Sequence, residues 1–139
     1  MDFVIEKLRT DEFRKYIEKT GIFSQTILNE RVDKLSICAD FVTARSSEGE
    51  LSGTIAFYMN VFPTCYITHV SVLKECRRQG ILTSMYRVLE IEARLRQFAL
   101  IRVEVEKKNV IAQKCYQNLG FVYENIQSDR SFFMRKALT

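Results

Sequence analysis

The stretch Val103-Glu104-Val105-Glu106-Lys107-Lys108-Asn109-Val110-Ile111-Ala112-Gln113-Lys114-Cys115-Tyr116-Gln117-Asn118-Leu119-Gly120-Phe121 decides the architecture. Its start alternates. Ile101, Val103 and Val105 share one side, and Arg102, Glu104 and Glu106 the other, which predicts a strand over residues 100–106 with one buried face. Asn109 is a residue type that caps helices by accepting from a first-turn N–H. Gly120 suits the left-handed position that ends them. A short helix over residues 109–119 is therefore expected. Tyr116 falls about two turns after Asn109 and on the same face.

Upstream, Gly80 opens a segment to about residue 97 whose apolar positions Ile81, Leu82, Met85, Val88, Leu89, Ala93 and Leu95 keep helical spacing. Residues 65–73, β-branched and aromatic, read as a buried strand. Between them runs Lys74-Glu75-Cys76-Arg77-Arg78-Gln79-Gly80. A helix start leaves N–H groups without partners, and its dipole attracts anions. Gly80 permits close backbone approach, and Arg77 and Arg78 add charge, which together suit a phosphate or pyrophosphate. The plain alternative is a strand-to-helix loop with solvated arginines. No P-loop and no G-x-G-x-x-G is present.

Further out, residues 3–8 read as a first strand and 11–19 as a helix capped by Thr10, with Phe13, Tyr16 and Ile17 on one face and Gly21 after its end. Residues 22–34 are expected to be helical in part. Residues 37–45 and 51–60 read as a hairpin about the turn 46–50, and 121–123 with 131–136 as a final antiparallel pair. The order β-α-(α)-β-β-β-α-β-α-β-β predicts an α/β (α+β) layer fold in one domain, residues 1–139.

The chain has 139 residues, too few for two well-cored domains. Its 47% hydrophobic and 27% charged residues mark a globular and not a disordered composition. A net charge of +4 accommodates an anionic ligand but falls short of a nucleic-acid binder. No run of about 18 apolar residues predicts a membrane span, and residues 1–10 lack a signal-peptide core. Cys38, Cys65, Cys76 and Cys115 form no C-x-x-C pair, and His69 is the one histidine. No metal site is expected, the thiols are expected to be free, and the expected compartment is the cytoplasm.

Two motifs carry a family resemblance. Arg77-x-x-Gly80-x-Leu82, five residues after Val72, is similar to the Arg/Gln-x-x-Gly-x-Gly/Ala motif of the GNAT superfamily of N-acetyltransferases. Leu82 departs from the small residue usual there. Asn109-x-x-Ala112-x-x-x-Tyr116-x-x-x-Gly120-Phe121 resembles the second GNAT motif at every fixed position. The resemblance implies the GNAT acyl-CoA N-acyltransferase fold, a mixed twisted sheet of about six to seven strands flanked by about four helices. It also implies acetyl-CoA (coenzyme A) as acyl donor. Val70, Ser71 and Val72 would pair with the pantetheine arm. The N–H groups of Arg78, Gln79, Gly80, Ile81, Leu82 and Thr83 would hold the pyrophosphate, with Arg77 adding charge beside them. Asn109 would bond a pantetheine amide, and the small Ala112 would let the ligand pack closely.

The implied reaction is direct transfer of an acetyl group to a primary amine of a small molecule or peptide. Tyr116 would protonate the departing thiolate, where otherwise it is a core tyrosine. Glu104 is the candidate base, where otherwise it is a surface residue. His69 is placed by alternation with Ile67 and Ser71, on the face opposite Val70 and Val72, as a packed histidine. Cys76 and Cys115 are read as non-catalytic. Lys107, Lys108 and Lys114 are read as solvated, with one available to a 3′-phosphate. The acceptor is expected to meet residues 22–34 and the turns 46–50 and 125–130. Partners are then acetyl-CoA and the amine, with neither nucleic acid nor membrane, and a homodimer is possible. Two other readings compete. One is a catalytically weak or inactive coenzyme A sensor or scaffold with the same fold. The other is an RNA-binding module, favoured by charge alone.

Overall fold

The computed structural model describes residues 1–21 and 25–139, and the side chains of all of these except 25–29. Strand β5 (Leu100–Glu106) buries Ile101, Val103 and Val105 and turns Glu104 and Glu106 to solvent, as its alternation requires. It pairs in parallel with β4 (Thr64–Val72), and α3 (Ile81–Leu95) connects the two. The other elements, in chain order, are β1 (Asp2–Glu6), α1 (Thr10–Thr20), α2 (Gln25–Cys38), β2 (Asp40–Arg45), β3 (Leu51–Val61), α4 (Val110–Asn118), β6 (Val122–Gln127) and β7 (Ser131–Ala137). Among the described residues the strands form one seven-stranded sheet of order β1-β2-β3-β4-β5-β7-β6. Its other neighbouring strands run antiparallel.

Each face of the sheet has its own core. On one, Met85, Tyr86 and Leu89 of α3 pack with Ile67, Val103 and Met134, and Tyr116 of α4 joins them. Gly53 lets α3 close onto β3, because a Cβ there would lie 3.0 Å from Met85 Cε. On the other face, Phe13 and Ile17 of α1 pack with Val32 and Leu35 of α2 and with Phe41. Arg45 ties β2 to β1 and α1 through Glu6 at 2.9 Å and Glu12 at 2.7 Å.

Some boundaries differ from the sequence reading. Thr10 is the first helical residue and not the cap, which falls on Arg9. Residues 37 and 38 belong to α2, not to a strand. Val32, Leu35 and Ala39 bury at helical spacing, and the Ala39 N–H still donates to Leu35 O at 2.9 Å. Of the expected partial helix over residues 22–34, positions 22–24 lie outside the described residues, and the rest is continuous helix.

A further difference bears on the site. β3 pairs Phe57 with Ile67 but the adjacent Ala56 with His69, so Thr68 is an extra residue, a β-bulge. The bulge reverses which side chains face which layer. Ile67 packs with α3, whereas His69 meets the Phe13 ring of α1 edge-on at 5.8 Å between centroids. Alternation had grouped His69 with Ile67. The bulge separates them, while His69 and Ser71 stay together.

Candidate active site

The bulge also ends the parallel pairing. β4 and β5 are joined from Thr64 to Ile67 and from Leu100 to Val103, and then part. The gap opens into a cleft of about 1100 Å³ bounded by β4 beyond the bulge, the end of β5, the start of α3 and one side of α4. The Leu73 N–H donates to Ser52 O at 2.9 Å, which sets the phase of the β3–β4 ladder. Ser71 therefore turns its peptide groups to Thr54, and Val70 and Val72 aim theirs away from β3 and into the cleft. All three of the expected residues line the cleft; Val70 and Val72 turn their peptide groups into it, whereas those of Ser71 face β3. The Val72 carbonyl is taken by Arg77 Nε at 3.1 Å, which leaves the Val72 N–H and both groups of Val70.

At the α3 end, Arg78 and Gly80 both adopt positive φ, 64° and 74°. Gly80 accepts this without a side-chain penalty. The first helical bond runs from Ser84 N–H to Gly80 O at 3.0 Å, so the N–H groups of Ile81, Leu82 and Thr83 precede any intrahelical partner. Cys76, Arg77, Arg78, Gly80, Ile81, Leu82 and Thr83 all line the cleft. Gln79 does not; its amide reaches back towards Glu75 O at 3.5 Å. Arg87, one turn after Thr83, does line it and was missed from sequence; the signal was its i, i+4 relation to Thr83. Three arginines and a row of helical N–H groups make this end fit a polyanion such as a pyrophosphate.

On the far wall Asn109 caps α4, its Oδ1 accepting from the Ala112 N–H at 3.0 Å. Gln113 was also missed. Its side-chain amide donates to Glu106 O at 3.1 Å and Lys107 O at 3.0 Å, fastening α4 to the end of β5. Tyr116 is buried, its ring 5.3 Å from that of Phe121. Among the described residues its phenol has no hydrogen-bond partner, yet it is not sealed off, and the residue lines the cleft. Burial pushes its pKa well above that of a free phenol, so it holds its proton at neutral pH. A buried phenol of a cleft-lining residue fits a ligand atom able to accept that proton.

Glu104 lies at the cleft rim on the opposite face of β5 from Val103 and Val105, the pair that packs with Tyr116. Burial and then the charge of Glu104 raise the pKa of the neighbouring Tyr66. Arg31 of α2 reaches the bulge and donates to Thr68 O at 2.6 Å. His69 lies on this face as well and is buried. Burial, reinforced by Arg31, lowers its pKa to about 4, so it is neutral near pH 7. Among the described residues, neither the 46–50 turn nor the 125–130 turn lines the cleft. The four cysteines are free, and no group of three or more His, Cys, Asp or Glu is arranged to hold a metal among the described residues.

The model of the acetyltransferase (GNAT) family matches residues 3–121, and the chain belongs to that family. The PaiA N-acetyltransferase of Thermoplasma acidophilum, solved with coenzyme A, superposes with a TM-score of 0.80 at 18% identity, over 99% of each chain. The ribosomal-protein-S18-alanine N-acetyltransferase of Escherichia coli gives 0.78 at 17% identity, over 99% of this chain and 95% of that one. At these identities the likeness establishes the fold. A curated relative, the chloroplastic GCN5-related N-acetyltransferase 6 of Arabidopsis thaliana, is 43% identical over 56 residues. That match spans 40% of this chain and only 19% of the relative. No helix of the described residues is long and apolar enough to cross a membrane.

Proposed function

We propose that this chain transfers an acetyl group from acetyl-CoA directly to a primary amine of a small molecule or peptide. The observation that carries the reading is the buried Tyr116 phenol, unpartnered among the described residues and open to the same cleft as the Val72 N–H and the peptide groups of Val70. Acetyl-CoA, when bound, supplies an activated thioester carbonyl and a thiolate leaving group.

The chain's own residues do the rest. Arg78, Arg87 and the N–H groups of Ile81, Leu82 and Thr83 hold the pyrophosphate end. Val70 and Val72 pair with the extended pantetheine arm, and one of their N–H groups polarises the thioester carbonyl. Tyr116 donates its proton to the departing sulfur. Glu104, on the other side of the gap, removes a proton from the ammonium form of the acceptor, which has no lone pair for attack until then. Acid and base thus stand on opposite faces of the parted strands, with the thioester between them. Direct transfer requires no nucleophilic side chain, which leaves Cys76 and Cys115 without a chemical role. Free thiols throughout support a reducing compartment.

A thiol-release assay over a panel of amines (peptides with free N-termini, amino sugars and polyamines) tests the reading. Acetyl-CoA consumption that depends on one class of amine supports it. Tight binding without turnover on any amine favours instead a coenzyme A sensor, the reading to which Leu82 at the usual small position lends weight.

A further inference from the structure

Beyond the bulge, β4 has lost β5 as a neighbour and keeps only β3. Ser71 sits there, between the two valines that face the cleft, and its hydroxyl meets three other polar groups. Tyr16 Oη of α1 is at 2.9 Å, Thr54 Oγ1 of β3 at 3.1 Å and His69 Nε2 at 3.0 Å. Tyr16 also donates to the Ser71 carbonyl at 3.0 Å. All four residues are buried.

Counting protons orders the cluster. The carbonyl can only accept, so Tyr16 spends its proton there. Ser71 must then donate to Tyr16 Oη. Its two lone pairs remain for Thr54 and for His69, which must carry its proton on Nε2. Four protons then serve these four contacts. A fully satisfied buried network of this kind is rigid, whereas one with a member missing is costly. The mechanism makes no use of any of these side chains.

We propose that Tyr16, Thr54 and His69 act through Ser71 as positioning residues, holding the unpaired end of β4 so that the Val70 and Val72 peptide groups are aimed at the pantetheine arm. The inference rests on the reading that this cleft takes an acyl-CoA. The network replaces the missing strand neighbour. It also ties the cofactor strand to α1, on the face of the sheet where Glu104 stands. Its effect belongs to the pantetheine part of the ligand and not to the nucleotide, which is held at the start of α3.

Calorimetry on wild type and Tyr16→Phe, with two ligands, tests this. The ligands are coenzyme A and 3′-phosphoadenosine 5′-diphosphate, which keeps the nucleotide and pyrophosphate but lacks pantetheine. Loss of the two buried hydrogen bonds of the Tyr16 hydroxyl should weaken coenzyme A roughly 10-fold to 30-fold and leave the fragment unchanged. Equal weakening of both ligands, or of neither, overturns the inference while leaving the acyl-CoA reading intact. Failure of wild type to bind coenzyme A at all overturns that reading and the inference with it. Should Tyr16→Phe not fold, nitrogen NMR of wild-type His69 decides the matter. Protonation on Nε2 at neutral pH supports the ordered network, and a bare Nε2 overturns it.

Discussion

Arg77 Nε donates to the Val72 carbonyl five residues before it at 3.1 Å, bridging the end of β4 and the loop before α3. The bond does two things. It removes from the cleft an acceptor that would repel a thioester carbonyl, and it folds the loop so that Arg78 and Gly80 lie over the helix start.

Arg77→Lys keeps the charge but loses the planar Nε donor. We expect coenzyme A affinity to fall about 10-fold, as for loss of one charge-assisted bond, with a melting temperature nearly unchanged because the bond is exposed. Calorimetry and thermal melts check both. Unchanged affinity would mean that the bond does not preorganise the loop.

Tyr116→Phe keeps the ring against Phe121 and removes only the phenol proton. The expected result is a fall in kcat of roughly 100-fold, the lower range for a general acid, with acetyl-CoA affinity within about 3-fold of wild type. Because the phenol pKa is raised, wild-type activity should show no loss from Tyr116 ionisation below about pH 10. A variant as fast as wild type would remove Tyr116 from the chemistry.

Glu104→Gln should lower kcat/KM on the responsive amine about 100-fold at neutral pH. In that variant the acceptor must lose its proton to solvent, so its rate should climb as pH approaches the amine pKa of about 8 to 10.4. The gap to wild type should therefore narrow by about pH 9. A ratio constant across pH would assign Glu104 to binding and not to proton removal.

His69 makes stability depend on acid in a defined window. Its folded pKa of about 4 lies below the ordinary value of 6.5, so between these the unfolded chain binds a proton that the folded chain does not. Its share of stability is complete above about pH 6.5 and is lost as pH falls towards 4, by about 3 kcal/mol in all. Urea unfolding of wild type and His69→Gln at pH 7 and pH 4 measures this. Wild type should lose about that much more than the variant, and parallel losses would show that His69 titrates normally.

How far the sequence could be read depended on whether the deciding contact was local. The bounds of β5 were legible because strict alternation has one interpretation. The start of α4 was legible because the Asn109 side chain reaches only the first turn of a helix that begins directly after it. The cleft residues at the start of α3 came from Gly80 and the arginines beside it. The bulge at Thr68 left no mark, since residues 64–72 contain neither glycine nor proline and read as an unbroken strand. It exists through pairing with β3, and the facing of His69 depended on it. That the Ser71 peptide groups face β3 was hidden for the same reason, as ladder phase is a property of two strands. Gln113 looked like any polar helix residue until the ends of β5 and α4 came together. The strand assigned to residues 37–45 began too early because the last turn of α2 carries an exposed isoleucine, Ile37.

Titration of isotope-labelled protein with coenzyme A, followed by backbone amide shifts, tests the central claim most directly. The account predicts saturable changes tighter than about 1 mM, concentrated at Val70, Val72, the Ile81–Thr83 turn and Ala112, with smaller effects along β1 and β2. No change at millimolar coenzyme A, or changes that leave Val70 and Val72 unmoved, would contradict it.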